Sequence, residues 1–155
     1  YYIVLSYIGG KEVRATNGGF LISQVKQVQG RVFDAMLQEA GIEEFNGAQG
    51  RILYILWQED NLPIVELSRR TGLAKTTLTG MLDRMEEKGI LERRFDKKDR
   101  RQVRIVLSDK ARELNDKYNQ VSDAMNERFY RGFTDSEIKQ FEETLERILR
   151  NLTQE

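Results

Sequence analysis

Six basic side chains fall where they could work together: Lys75 and Arg84 in one helical-looking stretch, and Lys97, Lys98, Arg100 and Arg101 within five positions of a polar loop. Between Ile64 and Leu107 there are 12 Lys or Arg against 7 Asp or Glu, whereas the remainder has 13 against 18. The formal net charge of +0 therefore hides a basic segment inside an acidic surround. Such a segment attracts phosphates by charge pairing and counterion release, while the acidic remainder discourages indiscriminate sticking. Thr76 and Thr79 lie beside Lys75. A threonine hydroxyl can bond a base edge or a phosphate, and its methyl can touch thymine.

Other chemistry is excluded by composition. With no cysteine and no histidine, disulfides, thiolate metal sites and the common zinc, copper and haem ligands are ruled out, as is histidine acid–base catalysis. No metal, cofactor or catalytic residue is expected. The carboxylate pairs Glu43–Glu44 and Glu142–Glu143 are adjacent residues that diverge on a helix. Neither has a glycine-rich phosphate loop or a nucleophile with its base nearby. The apolar stretch Tyr1 to Ile8 is far shorter than the roughly 20 residues of a membrane helix, and no positive segment precedes it. A soluble, cytoplasmic protein is expected, with no membrane partner.

The elements that must position the basic residues are legible as periods. From Phe20 to Glu39, Leu21, Val25, Val28, Val32 and Met36 recur at threes and fours, predicting an amphipathic helix ended by Gly41. Asn46 with Gln49 reads as a capping box opening a second helix, whose buried face is Ile52, Leu53, Ile55, Leu56 and Trp57. Pro63 suits the first turn of a short third helix ending near Thr71. After the turn at Gly72, Lys75 to Lys88 predicts a fourth helix burying Leu78, Met81, Leu82 and Met85. Its wheel then turns Lys75, Thr76, Thr79, Gly80 and Asp83 outward, with Arg84 half-turned.

The period next changes to two. Leu91, Arg93 and Phe95, then Val103, Ile105 and Leu107, predict a β-hairpin across a polar loop. Arg100 and Arg101 at its tip are candidates for a minor groove, with Asp96 and Asp99 expected to pair with them and hold the loop in shape. Ser108 is expected to cap one long helix of about six turns carrying Ala111, Leu114, Tyr118, Val121, Met125 and Phe129. Thr134 with Glu137 forms a second capping box, opening a last helix whose stripe is Ile138, Phe141, Leu145, Ile148 and Leu152. The fold class expected is mainly α with a small β-hairpin wing, a winged helix-turn-helix joined to N- and C-terminal helices.

These residues resemble a known family, the multiple antibiotic resistance regulators (MarR), dimeric winged-helix transcription factors. Asp99, Arg101, Leu107 and Ser108 are similar to the family's wing signature of Asp-x-Arg, five residues, then Leu-Thr, with serine in place of threonine. The run LSRRTGLAKTTLTGMLDRMEEKGILERR from Leu67 to Arg94 resembles its recognition unit, and NGAQGRILYIL from Asn46 to Leu56 its second helix. The resemblance spans Gly19 to the C-terminus. Gly80 and Ala111 depart from it, Gly80 standing where many members carry a larger, often basic residue.

The resemblance implies DNA contacts by Lys75, Thr76, Thr77, Thr79 and Arg84 and by the wing residues Lys97, Lys98, Arg100 and Arg101. It implies a homodimer through the long helix from Asp109 and the first and last helices, with Leu21, Val25, Val28, Phe141, Leu145, Ile148, Leu149 and Leu152 at the interface. The corresponding division is 1–18 as an extension without an assigned role, 19–45 and 108–155 as dimerisation helices, and 46–107 as the DNA-binding domain. It further implies a small aromatic or anionic effector near Phe33, Met36, Arg51, Tyr54, Trp57, Tyr118 and Met125, although aromatics and methionines at helical spacing are also ordinary core. The function expected is a sequence-specific transcriptional regulator, a repressor, on a palindromic operator in double-stranded DNA. The alternative is a winged-helix module that binds protein.

Overall fold

The computed structural model describes residues 16–153 and, as backbone, 7–8 and 11–12. Most of the extension 1–18 lies outside the described residues. Two short strands, β1 (Tyr7–Ile8) and β2 (Lys11–Glu12), pair antiparallel.

Helix α1 (Gly18–Glu39) buries only Leu37, and its apolar stripe otherwise stays at least partly open. Helix α2 (Gly47–Gln58) begins with the expected box: the Asn46 side chain accepts from the Gln49 N–H at 2.8 Å, and Gln49 Oε1 accepts from the Asn46 N–H at 3.1 Å. Each bond pairs an amide that the first helical turn would leave unsatisfied. Asp34 of α1 accepts from the Gly47 N–H at 2.7 Å and ties the two helices.

Pro63 does not open the third helix from within. It belongs to a two-residue strand, β3 (Leu62–Pro63), and flanks α3 (Ile64–Thr71) with ψ 144, outside the helical range. Strand β3 is an edge strand, where a missing N–H costs no ladder bond. The sheet therefore has three strands in the order β3-β5-β4, more than the expected hairpin of β4 (Leu91–Phe95) and β5 (Val103–Leu107). Leu62 stands opposite Ile105, and Leu91 opposite Leu107.

Between α3 and α4 (Lys75–Glu87) the chain reverses at Gly72, whose φ of 67 is a left-handed value that glycine adopts without steric cost. The Ser68 hydroxyl donates to the Leu73 carbonyl at 2.8 Å, closing the same turn. The core beneath it joins Ile52, Leu53 and Leu56 of α2 with Leu67 of α3, Leu78, Leu82 and Met85 of α4, and Ile105 of the sheet, all at 1% exposure or less. At roughly 1.5–3 kcal/mol for each such side chain, this core is what fixes the angle of α4.

The expected single long helix is interrupted. Chain 109–113 forms α5 (Asp109–Glu113), Leu114 adopts φ -80 and ψ -9, and α6 runs over Asn115–Phe129. The stripe keeps its period, but Leu114's ψ tightens the turn, and Asn115 and Asp116 are weak helix formers just where it breaks. Ser108 does cap α5, accepting from the Ala111 N–H at 3.2 Å while its hydroxyl donates to the Ile90 carbonyl at 2.9 Å. Helix α7 (Asp135–Thr153) buries none of its residues. Among the described residues no helix is long and apolar enough to cross a membrane.

Candidate nucleic-acid interface

Helix α4 divides as its period requires. Leu78, Met81, Leu82 and Met85 are buried, while Lys75, Thr76, Thr77, Thr79, Asp83 and Arg84 are exposed. The Thr79 hydroxyl donates to the Lys75 carbonyl at 2.8 Å. Its proton is committed to the helix, so outward it offers only an acceptor and a methyl.

The basic residues of the segment sort into two groups. Arg69 and Arg70 are held by Glu66, Arg70 also by Glu59, Arg93 by Asp83 and Glu86, Arg94 by Glu92, and Arg104 by Asp96. Among the described residues, Lys75, Arg84, Lys88, Lys97, Lys98, Arg100 and Arg101 form no ion pair. All six basic residues nominated from the sequence fall in this second group, with Lys88 added.

At the wing tip the sequence expectation is corrected. Asp96 pairs with Arg104 of β5, Nε to Oδ2 at 2.5 Å, and not with Arg100 or Arg101. Asp96 Oδ1 also accepts from the backbone N–H groups of Lys98 at 2.7 Å and Asp99 at 3.2 Å, and Asp99 Oδ1 accepts from that of Arg101 at 3.0 Å. Both aspartates thus bond the turn's own backbone, a geometry their short side chains favour. The Arg104 guanidinium, followed by these amides, holds the Asp96 carboxyl down at about 2. The guanidinium also donates to the Asn61 carbonyl at 2.5 Å. This anchors the wing to the loop before β3, where Asn61 itself takes φ 59.

Arg93 was not singled out from the sequence. Its side chain donates to Glu86 Oε2 and to Asp83 Oδ1, each at 2.6 Å, and its own N–H donates to Glu86 Oε1 at 2.8 Å. Strand β4 is therefore clamped to the outer face of α4. That backbone bond, with the guanidinium, holds Glu86 below its ordinary value. The only sequence signal was an arginine in a strand of a basic wing. Phe95, expected to alternate inward, is 73% exposed because the strand has by then run beyond the core.

The residues nominated for an effector are spread over several parts of the fold. Phe33 and Trp57 pack on Tyr118 with ring centroids 5.7 and 5.0 Å away, and Phe45 completes the cluster. Trp57 Nε1 donates to the Ala111 carbonyl at 2.9 Å. Burial pushes the Tyr118 phenol up, opposed by the charge of Arg51. Arg51 and Tyr54 are exposed, Met36 is half-buried, and Met125 lines a separate open groove with Val25, Val28, Phe129 and Phe141. A cleft the sequence did not suggest lies between the end of α1, the start of α2 and α4, with Asp34, Gln38, Glu43, Gln49, Arg84 and Lys88 in its walls.

On the dimer list, Leu21, Val25 and Val28 on α1 and Phe141, Ile148, Leu149 and Leu152 on α7 are exposed, from 37% at Phe141 to 79% at Leu152, and Leu145 is half-buried.

Comparison with known proteins gives this geometry a family. Residues 45–103, from the start of the second helix to the first residue of β5, match the model of the MarR family. The HTH-type transcriptional regulator TtmR of Methylorubrum extorquens is 35% identical over 98 residues, 63% of this chain and 49% of that protein. The organic hydroperoxide resistance transcriptional regulator of Bacillus subtilis is 34% identical over 65 residues, 42% of this chain and 44% of that protein. The chain spans about half the length of the curated relatives it matches. Among solved structures, a mutant MarR from E. coli complexed with operator DNA superposes with TM-score 0.77 and 26% identity, covering 84% of this chain and 92% of that one. With the helix order, the wing and these matches in agreement, residues 45–103 are a match to the MarR family and the chain shares the fold of a solved MarR protein.

Proposed function

We propose that this chain is a sequence-specific regulator of transcription that binds double-stranded DNA as a homodimer, on a palindromic operator and as a repressor. The observation that carries it is the sorting of the arginines and lysines. The basic residues that build the winged domain are neutralised inside it, and those on the exposed face of α4 and at the wing tip keep their charge for an outside anion. An unpaired surface cation gains most from a phosphate, whose counterions it displaces. The relative from E. coli, described as complexed with operator DNA, supports the same reading.

The apolar faces left open on α1 and α7 support the homodimer. Exposed apolar residues in a continuous stripe usually mark an interface. A twofold dimer would place its two recognition helices about one DNA turn apart, giving half-sites spaced roughly 10 base pairs. Release by a small aromatic or anionic effector belongs to the proposal.

The test is selection from a random duplex pool, followed by affinity of the selected site across a salt series. An enriched palindrome whose affinity falls steeply with salt is expected. Absence of enrichment together with salt-indifferent binding to a protein would replace this reading with the protein-binding one.

A further inference from the structure

Helix α4 carries a gap on its exposed face. Gly80 stands in the interior of this 13-residue helix, where glycine lowers stability because it loses more chain freedom than alanine would. A helix tolerates that where a neighbour needs the room, and α2 shows two such cases. A Cβ at Gly47 would stand 2.7 Å from the Phe33 ring, and one at Gly50 2.7 Å from the Tyr118 ring. At Gly80 a Cβ would meet nothing within 4 Å. The chain's own packing gives no reason for the missing side chain. Gly30, inside α1, has the same open surroundings and likewise lies on an exposed face proposed to meet a partner.

The surroundings of the gap indicate what could enter it. Thr76 and Arg84 lie four residues to either side of Gly80, and Thr77 and Asp83 three, so these side chains rim it. Thr79, next to it, has its hydroxyl proton committed to the Lys75 carbonyl at 2.8 Å, and the backbone amides here are bonded within the helix. The floor of the gap therefore has no free donor. Of the groups on major-groove base edges, the C5-methyl of thymine alone needs no hydrogen bond. A guanine or cytosine edge pressed onto that floor would find a partner only on the rim, at Thr76, Thr77, Asp83 or Arg84, whereas a methyl needs none.

We propose that Gly80 determines specificity, its gap accepting the C5-methyl of one thymine in each half-site. The inference rests on the DNA-binding reading above. The experiment takes the site selected by the full chain and replaces its thymines one at a time by deoxyuridine, which lacks only that methyl. One symmetry-related pair of positions should lose about fourfold per half-site, the size of one buried methyl. Gly80→Leu should fill the gap, lose about tenfold on the thymine site as overpacked contacts do, and no longer distinguish thymine from deoxyuridine there. Gly80→Ala should melt about 2–4 °C higher while losing part of the discrimination. A site in which no thymine methyl matters, or a Gly80→Leu protein with unchanged affinity and discrimination, overturns the proposal. Weaker binding by Lys75→Ala beside an unaffected Gly80→Leu overturns the gap alone, whereas failure to select any sequence removes the DNA reading as well.

Discussion

Arg93 of β4 holds Glu86 of α4 twice, through its guanidinium at 2.6 Å and through its backbone N–H at 2.8 Å. A change in the angle between β4 and α4 must therefore break both bonds and the neighbouring one to Asp83.

Removing this clamp should loosen the wing without removing a phosphate contact. Arg93→Ala is expected to cost about 1–2 kcal/mol in urea unfolding, the range of partly exposed charged hydrogen bonds. Its DNA affinity should fall while the slope of log K against log salt stays at the wild-type value, since Arg93 is already neutralised by Asp83 and Glu86. A reduced slope would show that Arg93 meets phosphate directly.

Lys75→Ala and Arg101→Ala should behave in the opposite way. Each is expected to weaken binding and to lower the salt slope by about one, the signature of one lost phosphate contact. Light scattering should give both variants the wild-type mass. Unchanged affinity in both would end the assignment of α4 and the wing tip to DNA.

Acid should open the wing late. The Asp96 carboxyl is held at about 2 against an ordinary 3.8. A depressed folded-state value means that the contribution is complete above the ordinary range and is lost as pH falls from about 4 to about 2. Carboxyl chemical shifts followed by NMR should place its midpoint near the lower figure, and Asp96→Asn should flatten the acid dependence in that window. A midpoint near 3.8 would mean that the Arg104 pair does not persist in solution.

The native mass should be close to twice the 18.1 kDa chain. Leu149 is 61% and Val25 45% exposed on the unpartnered faces, so Val25→Glu with Leu149→Glu should give monomers by burying charge without a partner. A wild-type monomer would refute the dimer outright.

Gly50→Ala should destabilise by about 1–3 kcal/mol, the usual cost of overpacking, because its Cβ would lie 2.7 Å from the Tyr118 ring. Trp57, the one tryptophan, packs on the same ring and reports the transition by fluorescence. An unchanged midpoint would show that Tyr118 can move aside.

Much of the fold was legible because its signals are local. The Asn46–Gln49 and Thr134–Glu137 boxes each lie within four residues, and both form as expected. The face of α4 follows from a period of 3.6 and nothing else. The two-residue strand β3 has no period to read and exists only because Leu62 meets Ile105. The break at Leu114 was missed for a related reason, as an apolar stripe keeps its spacing across a single tightened turn.

The sequence by itself determined the helix order, the turn at Gly72, the buried and open faces of α4, and the absence of cysteine and histidine chemistry. Arg69 and Arg70 meet Glu66 at helical spacing, but tertiary structure decided which basic residues find distant partners. Arg104 reaches Asn61 across 43 positions and Arg112 reaches Asp60 across 52, and no spacing rule spans such distances. It also decided that Phe33, Trp57 and Tyr118 share one packed cluster and that Gly80 faces open space. Periods and caps are set by bonds a few residues long, whereas the pairing of charges and the filling of space depend on where distant segments of the chain come to rest.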